Sequence, residues 1–409
     1  MADPSIPASE FAARRRRLRT ALKKSISLVF AGDHDPHGDV LFRPHPHFEY
    51  LTGVVDEPGA VLVLDPGSPV EARREMLFLR PLDPEVERWD GYRMPVGAEL
   101  RERVGLKAVF RTTHLPRFLT EAARRTPRLS CLHPIARYDQ PVSPDLALFR
   151  RIAERLPGVE IADRSDEVAR LRAVKSKREI AMIGRAAEIT LAGFEAGMRA
   201  VRPGMSEFEL QETIEHAYRT AGSRGPAFGT IAGSGINGTV LHYRANDRTI
   251  EEGDLVVIDS GARWGGYGAD VTRTVPASGT FTKRQREVYE VVLKAMDAAV
   301  RAVEPGATIA DVDKAARAVI TKAGYGDHFI HGIGHHLGLE THDVTPDAPL
   351  APGAVITIEP GVYIQDEALG IRIEDDVVVT ENGCRNLTGK LAKTVREVEE
   401  AVGKGGGGG

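Results

Sequence analysis

Cysteine is scarce in this chain, with Cys131 and Cys384 the only two among 409 residues. Two thiols cannot build the disulfide framework of a small secreted scaffold, and they suit a reducing compartment. An excess of either charge is missing too. The 54 Lys and Arg against 58 Asp and Glu leave a formal net charge of −4. That balance argues against a dedicated nucleic-acid or anionic-membrane partner. No apolar run approaches the ~18–20 residues needed to span a bilayer. Residues 27–31, following the arginines at 14–17, loosely imitate a signal peptide. They are too short, they run into Gly32-Asp33-His34-Asp35, and no small-residue cleavage site appears. The expected location is the cytoplasm.

What is present is an ordinary folding composition, 42% hydrophobic and 27% charged. The length is too great for one ordinary core and predicts two domains. Up to about residue 170, short apolar runs alternate with helical stretches. Strands are expected at 27–31, 60–64 and 76–79, and a helix at 146–156 after the start signal Ser143-Pro144. A first helix should turn Phe11, Leu18 and Leu22 inward and its arginines to solvent. The polar stretch 163–177 reads as a junction. From Glu179 a long amphipathic helix repeats Ile180, Ile183, Ala187, Leu191, Phe194 and Met198 three or four apart. The expected domains are 1–172 and 173–404, with the glycine tail 405–409 set aside.

The second part contains an internal repeat. GDLVVIDSG at 253–261 aligns with GAVITIEPG at 353–361, and an acid holds the same place in both. Upstream, PGMSEFEL at 203–210 parallels PGATIADV at 305–312. Both are turns feeding a helix: Ser206 with Glu209 has capping-box spacing, and Thr308 with Asp311 resembles it. Each acidic strand is followed by a second carrying another acid, Asp270 in GADVTRTV and Glu374 in IRIEDDVVV. Two halves of helices plus a hairpin would then pack as pseudo-symmetric mates around one site.

Asp259, Asp270, Glu359 and Glu374 are the acids of these hairpins. A carboxylate closing so apolar a strand is costly to bury unless it is paired or metal-bound. Four converging on one pocket would repel, and two divalent cations offset four negative charges. Oxygen-rich ligands suit Mn²⁺ best, with Co²⁺ or Zn²⁺ as alternatives. A fifth ligand is expected from HGIGHHLGLETHD at 331–343. The zinc-helix motif HExxH does not apply, because Gly332 follows His331. His336 is expected to face outward, and His328 to be a surface or core histidine. The Asp33-His34-Asp35-Pro36-His37 cluster, with His45 and His47 nearby, reads as a loop rather than a second metal site.

Together, HGIGHHLGLETHD, IDSGARWGGYGADVTRT, TIEPGVY and GIRIEDD resemble the pita-bread metallopeptidases, a family that includes methionine aminopeptidase, aminopeptidase P and prolidase. FEYLTG at 48–53, EPGAVLVL at 57–64 and WDGYR at 89–93 resemble the creatinase-type leading domain, which methionine aminopeptidases lack. The resemblance therefore implies an α/β and α+β chain, a creatinase-type N-terminal domain followed by a pita-bread domain, in the proline-specific branch. It implies Asp259, Asp270, His335, Glu359 and Glu374 as metal ligands, with Asp270 and Glu374 shared by the two ions. It places His242, His342 and Arg372 against substrate or the tetrahedral intermediate. Glu359 would serve as general base, His242 at the oxyanion and His342 at the proline nitrogen. His331 and Tyr363 would form pocket wall, and Trp89 could border the site of a neighbouring subunit in a homo-dimer or homo-tetramer. Phe228 departs from the pattern, because relatives often carry a tyrosine there whose hydroxyl supports a ligand carboxylate. The implied activity is release of the residue before proline from a peptide, as in bacterial aminopeptidase P. The alternatives are a Xaa-Pro dipeptidase (prolidase) and, more remotely, a noncatalytic peptide-binding module.

Overall fold

The apolar runs of the first 170 residues become the strands of one sheet in the computed structural model of the chain, which describes residues 3–34 and 41–403. Contacts separate a unit Ile6–Arg172 from a second unit, Ala173–Gly409, which the segment up to Ser5 joins. The first unit carries β1 (Ile26–Phe30), β2 (Val61–Leu64), β3 (Glu75–Leu79), β4 (Ala108–Arg111), β5 (Arg128–Cys131) and β6 (Glu160–Asp163). They lie in the order β4-β3-β2-β1-β5-β6. Strand β2 reads as an unbroken apolar run, and β1 as one broken only by Ser27, because both of their faces are covered. Helix Leu115–Arg125 contributes Leu115, Leu119, Ala122 and Ala123 to this core. The helix expected at 146–156 runs Pro144–Ala153, its proline placed in the first turn where a missing N–H is tolerated.

The first helix, Ala8–Leu22, departs from expectation. Leu18 and Leu22 are buried, but Phe11 is only half-buried, and Arg14 and Arg15 are 0% and 1% exposed. Arg14 donates to the Tyr50 carbonyl at 3.0 Å, and Arg15 to the Leu51 carbonyl at 2.8 Å. Those carbonyls close helix Pro46–Thr52, whose last turn has no intrahelical donors left. Glu10 and Glu75 neutralise the two guanidinium groups. His45 caps the same helix through Nδ1, and His47 packs beside His133. Both histidines thus have structural work, while Asp35, Pro36 and His37 lie outside the described residues. Cys131 is buried, which pushes its thiol up to about 12, and neither cysteine is in a disulfide.

The second unit repeats a helix pair followed by antiparallel strands. Helices Lys177–Ala200 and Glu207–Thr220 precede β7 (Ile231–Ser234), β8 (Leu255–Ser260), β9 (Arg263–Trp264), β10 (Tyr267–Gly268) and β11 (Val271–Pro276). Helices Lys283–Ala302 and Ile309–Lys322 precede β12 (Val355–Ile358), β13 (Gly361–Ile364), β14 (Leu369–Arg372), β15 (Asp375–Thr380) and β16 (Gly383–Asn386). The sheets are β11-β8-β7, β12-β15-β16 and the pair β13-β14, with β10-β9 as a short ribbon. Ser206 with Glu209 and Thr308 with Asp311 each form a complete capping box, which starts the second helix of each pair at the corresponding place. A single apolar core takes residues from both halves. Among the described residues, no helix is long and apolar enough to cross a membrane.

A fully buried ion pair stitches the halves together. Arg273 on β11 donates to the Asp375 carboxylate of β15 at 2.7 Å, and both side chains are 0% exposed. Lys393, Asn386 and Thr388 satisfy the remaining carboxylate positions. Burial opposes ionisation of Asp375, but Arg273 and Lys393 prevail and hold its carboxyl at about 2. Asp375→Ala would strand the arginine's charge without a partner and should destabilise the fold by about 3–5 kcal/mol. A fall in the denaturant midpoint with an unchanged m-value is the expected reading.

Candidate active site

Strand alternation explains which residues meet in the second unit. Asp259, near the end of β8, pairs in register with Thr272 of β11, so both belong to one region of the hairpin. Asp270 immediately precedes β11, Glu359 immediately follows β12, and Glu374 sits between β14 and β15. The apolar strands carry these acids inward. Asp259, Asp270 and Glu374 are 8%, 4% and 1% exposed.

His335 comes from the glycine-spaced loop. Gly334 lets that loop press against β12, since a Cβ there would overlap the Thr357 carbonyl oxygen. The Thr357 hydroxyl accepts the His335 N–H at 3.1 Å. His336 bridges to Ile356 in strand fashion, so its side chain leaves on the opposite side from His335. That geometry buries His336 to 4% exposure, against the expected outward position. His328 is half-buried, with Nδ1 3.2 Å from the Tyr363 carbonyl oxygen.

One cavity of about 440 Å³ is lined by Asp259, Asp270, His335, Glu359 and Glu374, and also by His242, His331, His342 and Arg372. Ligand atoms of Asp270, His335 and Glu374 lie within 4.8 Å of one another. The imidazole of His335 is oriented by its own chain. Its Nδ1 lies 3.0 Å from the His336 carbonyl and must be the protonated nitrogen. The Nε2 lone pair then faces the oxygens of Asp270 and Glu359, each 3.6 Å away. Lone pair against carboxylate is repulsive unless a cation or proton lies between.

The electrostatics agree. Burial, then the neighbouring acids, raise Asp270 and Glu374 well above the usual carboxylate range. Burial likewise pushes Glu359 up to about 7 and His335 down to about 4. Two buried oxygens, Asp259 Oδ1 and Glu374 Oε1, have no hydrogen-bond partner among the described residues. Orphaned acceptors of this kind call for an ion or a proton. Anionic oxygens around a neutral imidazole therefore fit a divalent cation.

Arg372 fixes one side of this cluster. Its Nη2 donates to Asp259 Oδ2 at 2.6 Å, Nη1 to the Tyr363 hydroxyl at 2.9 Å, and Nε to the Thr272 hydroxyl at 3.1 Å. Tyr363 continues the chain to His331 Nε2, 2.9 Å away. Thr272 also donates to Glu374 Oε2 at 2.7 Å. His342 packs against His335 with ring centres 4.1 Å apart, and His242 lies 6.3 Å beyond it. Lys175 and Asp343, both nearly inaccessible, pair at 3.0 Å and tether the end of the histidine loop. Phe228 lines the cavity and brings no hydroxyl to it. Trp89 lies in the first unit, on helix Pro84–Asp90, with 89% of its surface exposed.

Several residues of the site escaped sequence reading. The threonines Thr272 and Thr274 alternate with Asp270 along GADVTRTV, a period-two polar pattern that signals their common face. Thr274 meets the backbone of Arg372, its hydroxyl donating to the carbonyl at 3.0 Å. Arg244, two positions beyond His242, also lines the cavity. Nothing in its local spacing distinguishes it from a surface arginine.

Comparison with known proteins gives the same picture in both units. Residues 181–381 match metallopeptidase family M24, and residues 11–130 match the aminopeptidase P N-terminal domain. The Xaa-Pro aminopeptidase of Escherichia coli K12 is 34% identical over 96% of this chain and 97% of its own length. The Xaa-Pro dipeptidase of Pyrococcus furiosus is 43% identical, but over 57% of this chain and 67% of its own. Among solved structures, E. coli aminopeptidase P with the inhibitor Pro-Leu superposes with a TM-score of 0.87 at 31% identity, covering 97% of this chain and 98% of that one. A zinc-substituted form of that enzyme in complex with product gives 0.88 at 31%, with the same coverage.

Proposed function

The chain belongs to metallopeptidase family M24, and from that membership we propose that it is a Xaa-Pro aminopeptidase, a hydrolase releasing the first residue of peptides with proline second. The observation that carries this reading is coverage. Resemblance to the Xaa-Pro aminopeptidase spans both units, whereas the dipeptidase resemblance is confined to part of each chain.

We assign Asp259, Asp270, His335, Glu359 and Glu374 to two divalent ions, manganese being the best match to so oxygen-rich a set. Asp270 and Glu374 would be shared between them. When bound, the ions would lower the pKa of water toward neutrality and polarise the scissile carbonyl. Glu359, while remaining a ligand, is suited to take a proton from the attacking water. We assign His242, which lines the cavity, to donate to the carbonyl oxygen as its charge develops. Burial, then the neighbouring His242, hold His342 below the ordinary histidine range. Its task is to relay a proton to the proline nitrogen, which has no N–H of its own. Arg372 acts as a positioning residue, since three of its donors are spent on Asp259, Tyr363 and Thr272. His331 and Tyr363 support it from the pocket wall.

The domain assignment we adopt is 1–172 for the leading domain and 173–404 for the catalytic one. The exposed ring of Trp89, with that of Tyr92 at 92%, supports a homo-dimer or homo-tetramer in which a neighbour's loop borders the site. The cytoplasm is the proposed location. The deciding assay supplies metal-reconstituted protein with Xaa-Pro-Xaa peptides and Xaa-Pro dipeptides. Tripeptide cleavage with release of the first residue is expected. Dipeptide cleavage alone would promote a prolidase, and no cleavage of either would leave a peptide-binding module.

A further inference from the structure

The cavity holds one cation that the chemistry above does not use. Arg244 lines it together with His242, His342 and Phe228. Its side chain crosses Gly229, where a Cβ would meet Arg244 Cδ at 3.5 Å and Nε at 3.7 Å. Among the described residues, no hydrogen bond or ion pair engages its guanidinium. The other arginine of the cavity, Arg372, is buried and spends its donors on Asp259, Tyr363 and Thr272. Arg244 is exposed, and it is near enough to His342 that its charge opposes protonation of that ring.

The cavity is therefore polar in the electrical sense. Its acids gather at the metal-ligand end, and its one uncommitted cation stands on the side of the two outer histidines. A peptide's amino terminus belongs with the acids. The fragment before the scissile bond then carries the amine, so a complementary anion must lie on the fragment that leaves. A guanidinium offers a planar fork of donors matched to a carboxylate. The cavity volume also falls in the range of small-ligand sites.

Resting on the Xaa-Pro aminopeptidase reading, we propose that Arg244 binds a carboxylate on the departing proline fragment and selects short peptides whose C-terminal carboxylate lies within reach. Such a contact is made equally before and during bond breaking, so it acts on KM rather than kcat.

The test uses the metal-reconstituted full chain with Ala-Pro and Ala-Pro-Ala, each as the free acid and as the C-terminal amide. Ala-Pro-Glu-amide and Ala-Pro-Gln-amide are run beside them. For at least one length, kcat/KM should favour the acid by about tenfold, through KM, with the preference shrinking as salt is added. Arg244→Met should bring the acid-to-amide ratio near one, and Arg244→Lys should keep part of it. Preference for the Glu over the Gln peptide, without any acid-to-amide difference, would keep the carboxylate contact and assign it to a side chain. A wild-type ratio near one in every pair overturns the proposal, whatever the variants do. So does an unchanged ratio in Arg244→Met. Failure to cleave any of the six peptides would instead sink the aminopeptidase reading.

Discussion

Glu374→Ala should lose its bound metal on purification and fall by at least about a thousandfold in kcat/KM toward a Xaa-Pro-Xaa peptide. The carboxylate stands among Asp270, His335 and Thr272, and its Oε1 is a buried acceptor without a partner among the described residues. Removing it takes away a ligand assigned to both ions at once. The same substitution also removes one of the mutually repelling charges that raise Asp270. The metal-free variant should therefore melt no lower than the metal-free parent. Elemental analysis and thermal melts measure the two effects separately. Metal content equal to that of the parent would refute the assignment of Glu374 as a shared ligand.

Chelation should make stability strongly pH-dependent. Glu359 rises from 4.5 to about 7 by burial, and Asp270 and Glu374 rise further by burial and mutual repulsion. These are acids with raised folded-state values. The metal-free folded chain thus holds protons that the unfolded chain has already released above pH 4.5. Stability is full below that pH and is lost as pH climbs toward 7 and beyond. For Glu359 alone the loss is of order 3 kcal/mol. With metals bound, the charges are compensated and this loss disappears. The gap in melting temperature between loaded and chelated protein should be small at pH 5 and widen by ~5–10 °C toward pH 8. A gap that is constant with pH would contradict the picture of like charges held together by the ions.

Much of this cavity was legible in the sequence because its acids sit in a repeated frame. Two apolar strands ending in acids, each followed by another acid, mark Asp259, Asp270, Glu359 and Glu374 without any coordinates. The glycines around His335 mark a loop that must approach a strand closely, and Gly334 against Thr357 is that approach. The first helix was misread for a physical reason. A run of arginines looks solvated, yet Arg14 and Arg15 serve backbone carbonyls of Pro46–Thr52, a partner some 36 residues away that no local pattern reveals. His336 was misread because adjacent histidines take opposite sides only once the loop is known to bridge to Ile356. Arg244 was invisible for a similar reason: an uncommitted cation is defined by what surrounds it in space.

Three consecutive acids show the limit most clearly. Glu374 joins Asp270 and His335 in the cavity, and Asp375 is locked in an ion pair with Arg273. Asp376 is buried and accepts the Asp270 N–H at 3.1 Å. In sequence they are one acidic run, and their roles separate only where β15 begins at Asp375 and pairs with β12, leaving Glu374 before it.

The central claim is that a metal-loaded site hydrolyses the first peptide bond when proline is second. Mass spectrometry of products from Ala-Pro-Ala, its N-acetylated form and Ala-Ala-Ala, all incubated with manganese-reconstituted protein, tests it most directly. Free alanine should appear from Ala-Pro-Ala alone, because the acylated amine cannot pair with the acids of the site. Equal release from Ala-Ala-Ala, or cleavage of the acetylated peptide at the same rate, would contradict the account.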